Sequence, residues 1–147
     1  MLDVNACCAV TYGHPLARVL LGDSLHSGGL ALTSRLKALM GIGATSNVLD
    51  VGSGLGASPV HLAQSKGCRM TAVTLECEGV VAGEDLASRE GVGERVHFVE
   101  ADIMKTDVGA GTFDSLMTEC VSCRFSRITP PLRAASSGSL APKGGWA

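Results

Sequence analysis

The chain has 147 residues, 46% of them hydrophobic and 18% charged, with a formal net charge of −2. That length suits one domain with a packed core, and the composition excludes wholesale disorder. Clustered Lys and Arg are missing, which argues against nucleic-acid binding, and no apolar run reaches the roughly 18 residues of a membrane span.

Residues 1–27 have mixed character, with a helix expected around Ala9–Leu21. After the breaker Gly28-Gly29, the residues Leu30, Leu32, Leu36 and Leu39 recur at roughly helical spacing, and Gly41 and Gly43 stop them, so a helix is expected over Ala31–Met40. Asn47–Val51 (NVLDV) reads as a short buried strand. It runs into a glycine turn and then a helix from about Ser58 to Lys66. Arg69–Leu75 is a second strand, Glu84–Glu90 a helix weakened upstream by Gly79 and Gly83, Val96–Glu100 a third strand and Phe113–Thr118 a fourth. Strands alternating with helices imply βαβ units, a parallel sheet and the α/β class. From about Arg124 the chain turns rich in Ser, Ala, Pro, Gly and Arg without period 2 or 3.6, and it reads as irregular or disordered.

The most informative segment is Val48–Ser58, VLDVGSGLGAS. A strand ending in Asp50 and Val51 meets a G-x-G-x-G turn, Gly52-Ser53-Gly54-Leu55-Gly56, that opens a helix. Glycines there permit unusual backbone angles and close ligand approach, and the helix aims its first N–H groups at the ligand. In a dinucleotide site the third glycine comes one residue later. An acid at Asp50 would repel a pyrophosphate but suits a ligand carrying an ammonium group and a ribose, as S-adenosylmethionine (SAM) does. The plain alternative is a tight strand-to-helix turn with no ligand, and a nicotinamide oxidoreductase is the remaining enzyme reading.

VLDVGSGLG resembles the first motif of the class I SAM-dependent methyltransferases, and the resemblance extends over Val48–Cys123. It implies a Rossmann-like parallel sheet with flanking helices and SAM held by Asp50, Gly52, Ser53, Gly54 and Gly56. By the same likeness, the ribose falls to Thr74 or Glu76 at the end of the second strand. Many members place an acid where Thr74 stands. Asp102 and Ile103 of the Ala101-Asp102-Ile103 segment are implied at the adenine. Phe113-Asp114 resembles the start of the family's fourth strand; Asp114 itself reads as structural. Gly22–Leu36 is similar to the His-Pro-Gly-Gly turn and helix of an arsenite-methyltransferase-like subgroup, with Ser27 in place of the proline, and puts His26 near donor or substrate.

Ligands bind outside the carboxyl ends of strands in such sheets, so Glu119, Cys120 and Cys123 are expected near the transferred methyl, Glu119 as a base for acceptors with a proton to lose. Cys7 and Cys8 are expected to join them, because an N-terminal segment commonly caps that edge in this family. Soft thiolates hold soft ions and trivalent arsenic, so Cys7, Cys8, Cys120 and Cys123 are candidate metal or metalloid ligands. Their alternative is ordinary burial, the reading given to Cys68 and Cys77 outright. His14, His61 and His97 read as surface residues.

The expected organisation is an N-terminal helical cap over 1–46, a SAM-binding core over 47–123 and an irregular tail over 124–147. Four strands stand where the family has seven. The chain therefore reads as C-terminally truncated, with a tail like that of a frame-shifted gene after about Phe125 and poor solubility expected from a bare flank on the fourth strand. With an early acid and no basic leader in MLDVNACC, the location is expected to be cytoplasmic. The expected function is methyl transfer from SAM to a small molecule or thiol-bound metalloid. A SAM-binding remnant without turnover and a thiol metal-binding protein are the alternatives. Oligomeric state is unknown from sequence.

Overall fold

The computed structural model describes residues 29–103, 105 and 112–119, together with Val19. The expected helix over Ala9–Leu21 lies outside this range except at Val19, which is helical. The tail over 124–147, expected to be irregular, and any further strand beyond Glu119 lie outside it as well.

Helix α1 covers Gly29–Met40 and leads to strand β1, Asn47–Val51. Helix α2 (Ala57–Lys66), strand β2 (Arg69–Thr74) and helix α3 (Cys77–Arg89) follow, then a short 3-10 turn and strands β3 (Val96–Glu100) and β4 (Ser115–Met117). The sheet order is β3-β2-β1-β4, and every pairing is parallel. Two βαβ units carry the chain from β1 to β3 at one side. The chain then returns to pair β4 on the other side of β1. The carboxyl ends of β1 and β4 are therefore neighbours at a switch point of the sheet, where open α/β folds form their ligand crevices.

β1 is buried along nearly its whole length, as a parallel strand covered on both faces should be. Its side chains alternate between two apolar clusters. Val48 joins Met70, Ala72 and Phe98 under Val60, Leu62 and Ala63 of α2 and Ala87 of α3. Leu49 and Val51 face the other way with Val73, against Val99, Ile103, Phe113 and Leu116. By the two-residue period, Asp50 lies on the face of Val48, toward the helices. β4 is pinned at its start: Asn47 N–H donates to Asp114 Oδ2 at 2.6 Å, and Asp114 N–H donates back to Asn47 O at 2.8 Å. That is a structural job for Asp114.

Two elements differ from expectation. α3 begins seven residues earlier than the pattern suggests, because Gly79 and Gly83 are its contact surface. Both are buried. A Cβ on Gly83 would stand 2.3 Å from Phe98 Cε1, and one on Gly79 2.6 Å from the Gly54 carbonyl oxygen. The glycines cost helix propensity, about 1 kcal/mol each, yet only they let α3 lie this close to β3 and the loop after β1. In α1, Leu30, Leu32 and Leu39 are exposed, and the buried residue is Thr33.

Candidate functional site

The loop from β1 to α2 is fastened to the end of β2. The N–H groups of Gly52 and Ser53 both donate to Val73 O, at 2.8 and 3.0 Å. Gly56 sits at φ 86°, in the left-handed region, and a Cβ there would meet the Phe98 ring at 2.8 Å and Gly83 Cα at 2.9 Å. Gly54 is held from the other side by Gly79. Phe98, Gly79 and Gly83 thus form a floor that fixes the path of the loop. Ser53 Oγ is buried with no hydrogen-bond partner.

Asp50, the last but one residue of β1, is 2% exposed, and its Oδ2 has no partner. Burial of the carboxylate, with the charge of Glu119 added, pushes its pKa from 3.8 up to about 8. Just past β4 stands Glu119. Thr33 Oγ1 lies 3.0 Å from Glu119 Oε1 and 3.1 Å from Oε2, and Ser58 Oγ donates to Oε2 at 2.5 Å. The two hydroxyl oxygens are 3.2 Å apart. Ser58 is the second residue of α2, so the carboxylate also meets the positive end of that helix. Two acids on neighbouring strand ends, one with a bare oxygen, form an acidic edge beside the glycine loop. It can receive a cationic group in place of the proton on Asp50.

The remaining expected contacts sit at the carboxyl ends of the neighbouring strands. Thr74 ends β2 and is buried, with its side chain against Gly79. Glu76 is exposed at the start of α3. Asp102 follows β3 and pairs with Lys105 at 3.4 Å. Ile103 packs on Leu49, Val51 and Val73. One edge therefore gathers Asp50, Gly52, Ser53, Gly54, Gly56, Thr74, Glu76, Asp102, Ile103 and Glu119.

His26 and the candidate thiols Cys7, Cys8, Cys120 and Cys123 lie outside the described residues. Among the described residues no group of three or more His, Cys, Asp or Glu could hold a metal ion. Cys68 is buried in the core as expected, but Cys77 is exposed. It opens α3, where the helix faces outward at the sheet edge, so the core reading fails there. His61 donates to or accepts from Ser34 Oγ at 2.9 Å on the α1–α2 surface. Sequence reasoning missed Thr33 and Ser58. In the sequence Ser58 reads only as a helix start, and the signal for Thr33 is a polar residue among the leucines of α1. Among the described residues no helix is long and apolar enough to cross a membrane.

Norajmaline N-methyltransferase of Rauvolfia serpentina is 36% identical over 76 residues, which are 51% of this chain and 26% of that protein. Sterol 24-C-methyltransferase of Eremothecium gossypii is 30% identical over 83 residues, 56% of this chain and 22% of that one. The chain thus spans about a quarter of the length of these relatives. Among solved structures, a SAM-dependent methyltransferase from Geobacter sulfurreducens in complex with S-adenosyl-L-homocysteine superimposes with a TM-score of 0.68. It is 20% identical, and the match covers 97% of this chain and 53% of that one. That likeness speaks for the fold, which agrees with the expected Rossmann-like sheet. A family model described as a methyltransferase domain matches residues 48–144, about two thirds of the chain, and begins on β1 at the glycine loop; the chain belongs to this methyltransferase-domain family.

Proposed function

We propose that this chain binds SAM along the carboxyl edge of β1, β2 and β3 and serves methyl transfer to a small-molecule acceptor. The observation that carries the reading is Asp50. A buried carboxyl group with a bare Oδ2 beside a glycine loop that family membership ties to methyl transfer is matched to the donor's ammonium group. The donor, when bound, supplies a methyl on a positively charged sulfur.

The residues have separate tasks in this scheme. Gly52, Gly54 and Gly56 keep the main chain low so that the donor lies against it, and Phe98 with the α3 glycines stops the loop from sagging. Asp50 gives up its proton as the ammonium arrives. Thr74 and Glu76 offer oxygen atoms to the ribose hydroxyls, and Asp102 with Ile103 borders the adenine. Glu119, at the switch point, faces the transfer centre. There it takes a proton from an acceptor that has one to lose, or balances the positive charge of one that does not. Positioning of acceptor and donor in line supplies most of the rate.

The small-molecule class is supported by the relatives whose names specify norajmaline and a sterol. A metalloid acceptor requires thiols, and those in question stand outside the described residues.

Titration calorimetry of the full chain with SAM, S-adenosyl-L-homocysteine and NAD(H) tests the reading. Binding of the first two, weakened in Asp50→Asn, is expected. Preference for NAD(H), or no binding of either sulfur nucleoside, overturns it.

A further inference from the structure

We propose that Thr33 is a positioning residue: through its hydroxyl, α1 holds the Glu119 carboxylate at the end of β4 and so contributes to the charge that faces the donor's sulfonium. This rests on the SAM reading above.

The case begins with which residue α1 buries. The helix carries Leu30, Leu32, Leu36 and Leu39, yet its buried residue is Thr33, at 0% exposure, while Leu39 is 78% exposed. A helix docked for apolar burial alone would turn leucines inward, because removing apolar side chains from water is stabilising. Beside the packing of Met40 on the core, the fully buried contact of the helix is a hydroxyl that reaches three oxygens: both carboxylate oxygens of Glu119 and Ser58 Oγ. Thr33 and Glu119 are 86 residues apart in sequence, and Ser58 and Glu119 are 61 apart. The cluster therefore joins three elements at one point: α1, the first turn of α2 and the end of β4.

Its geometry limits where Glu119 can go. Ser58 Oγ donates to Oε2, and the single Thr33 hydroxyl proton serves either oxygen. A carboxylate gripped on two sides cannot turn to share the proton of Asp50, with whose charge it interacts. It keeps a fixed orientation at the switch point. Loss of the Thr33 hydroxyl removes the contact that reaches both carboxylate oxygens and loosens that orientation.

SAM and S-adenosyl-L-homocysteine differ at this place by one methyl and one positive charge, so their relative affinity reads the Glu119 charge without knowledge of the acceptor. In the full-length chain, calorimetry with each is compared for wild type, Thr33→Val, Thr33→Ser, Ser58→Ala and Glu119→Gln. Thr33→Val and Ser58→Ala are expected to weaken SAM by roughly tenfold and S-adenosyl-L-homocysteine by less than threefold, with Glu119→Gln at least as severe. Thr33→Ser, which keeps the hydroxyl and loses the methyl, is expected to restore the wild-type ratio. A residue that only fills space would give the opposite order, with Val harmless and Ser harmful. That order, or an affinity ratio unchanged in Thr33→Val and Ser58→Ala, overturns the proposal while leaving the SAM reading intact. Should Thr33→Val not fold, Ser58→Ala and Thr33→Ser decide by the same ratio. If wild type binds neither ligand, the SAM reading itself has failed and this inference with it.

Discussion

Replacing Asp50 with asparagine should change how the stability of the free protein depends on pH. The folded chain holds the Asp50 proton up to about pH 8, while the unfolded chain releases it near 3.8. Between those values the folded state carries the extra proton, so stability is fully present below 3.8 and declines as pH rises toward 8. The slope from this one group is at most about 1.4 kcal/mol per pH unit. Over the window it sums to no more than about 6 kcal/mol, against a total of about 5–15 kcal/mol for an ordinary domain. Asparagine has nearly the same shape and does not titrate. Its amide sets a constant offset of about 1–3 kcal/mol for any donor left unpaired, so the diagnostic quantity is the slope rather than the absolute stability. His61 contributes with the opposite sign. Its pKa is lowered by partial burial and by Lys37, so it favours the folded state as pH rises. It is common to both proteins and cancels in the difference. Urea unfolding of the full chain at half-unit steps from pH 5 to 8.5 gives both slopes. Wild type should lose stability with pH relative to Asp50→Asn, and parallel curves would refute the account of Asp50 as a buried proton-holding acid.

The same proton should appear in donor binding. Calorimetry at pH 7 in buffers of different ionisation enthalpy is expected to show release of up to one proton per SAM bound by wild type and none by Asp50→Asn. Gly79→Ala places a methyl 2.6 Å from the Gly54 carbonyl oxygen, a backbone atom that cannot rotate away, so donor affinity should fall by roughly tenfold or more, about 1.4 kcal/mol, while the helix content seen by circular dichroism holds. Gly83→Ala drives a methyl into the buried Phe98 ring and should destabilise by about 1–3 kcal/mol despite the gain in helix propensity; Phe98→Leu in the same chain should recover part of that loss in urea titrations. Leu49→Ala, in the cluster on the other face, should cost about 2–5 kcal/mol and leave the ratio of SAM to S-adenosyl-L-homocysteine affinity unchanged.

How much of this was legible in the sequence depends on how local the cause is. β1 and β3 match their expected bounds residue for residue, because a short apolar run between turn signals is a local property. The glycine loop was equally plain, since its spacing and Asp50 are contiguous. The start of α3 was hidden by propensity: Gly79 and Gly83 look like helix breakers until the loop and Phe98 that they admit are seen in space. α1 misled in the other direction. Its leucines have helical spacing, but the residue it buries is Thr33, whose partners lie 25 and 86 residues away. Glu119 was singled out for its place after the fourth strand, yet its grip by two hydroxyls belongs to tertiary structure alone. Cys77 shows the same limit, since exposure at a helix start leaves no mark on composition.

The return of the chain to the far side of β1 also orders events during synthesis. The glycine turn and its aromatic floor are complete once β3 has emerged, whereas the second acid of the pair arrives 61 residues after its Ser58 partner. A growing polypeptide therefore carries a finished cradle before it has a finished electrostatic edge. Completion of that edge waits on the β1–β4 pairing, the most sequence-distant among the described strands. A nascent chain stalled before β4 is thus expected to shape the glycine loop while lacking the Glu119 carboxylate.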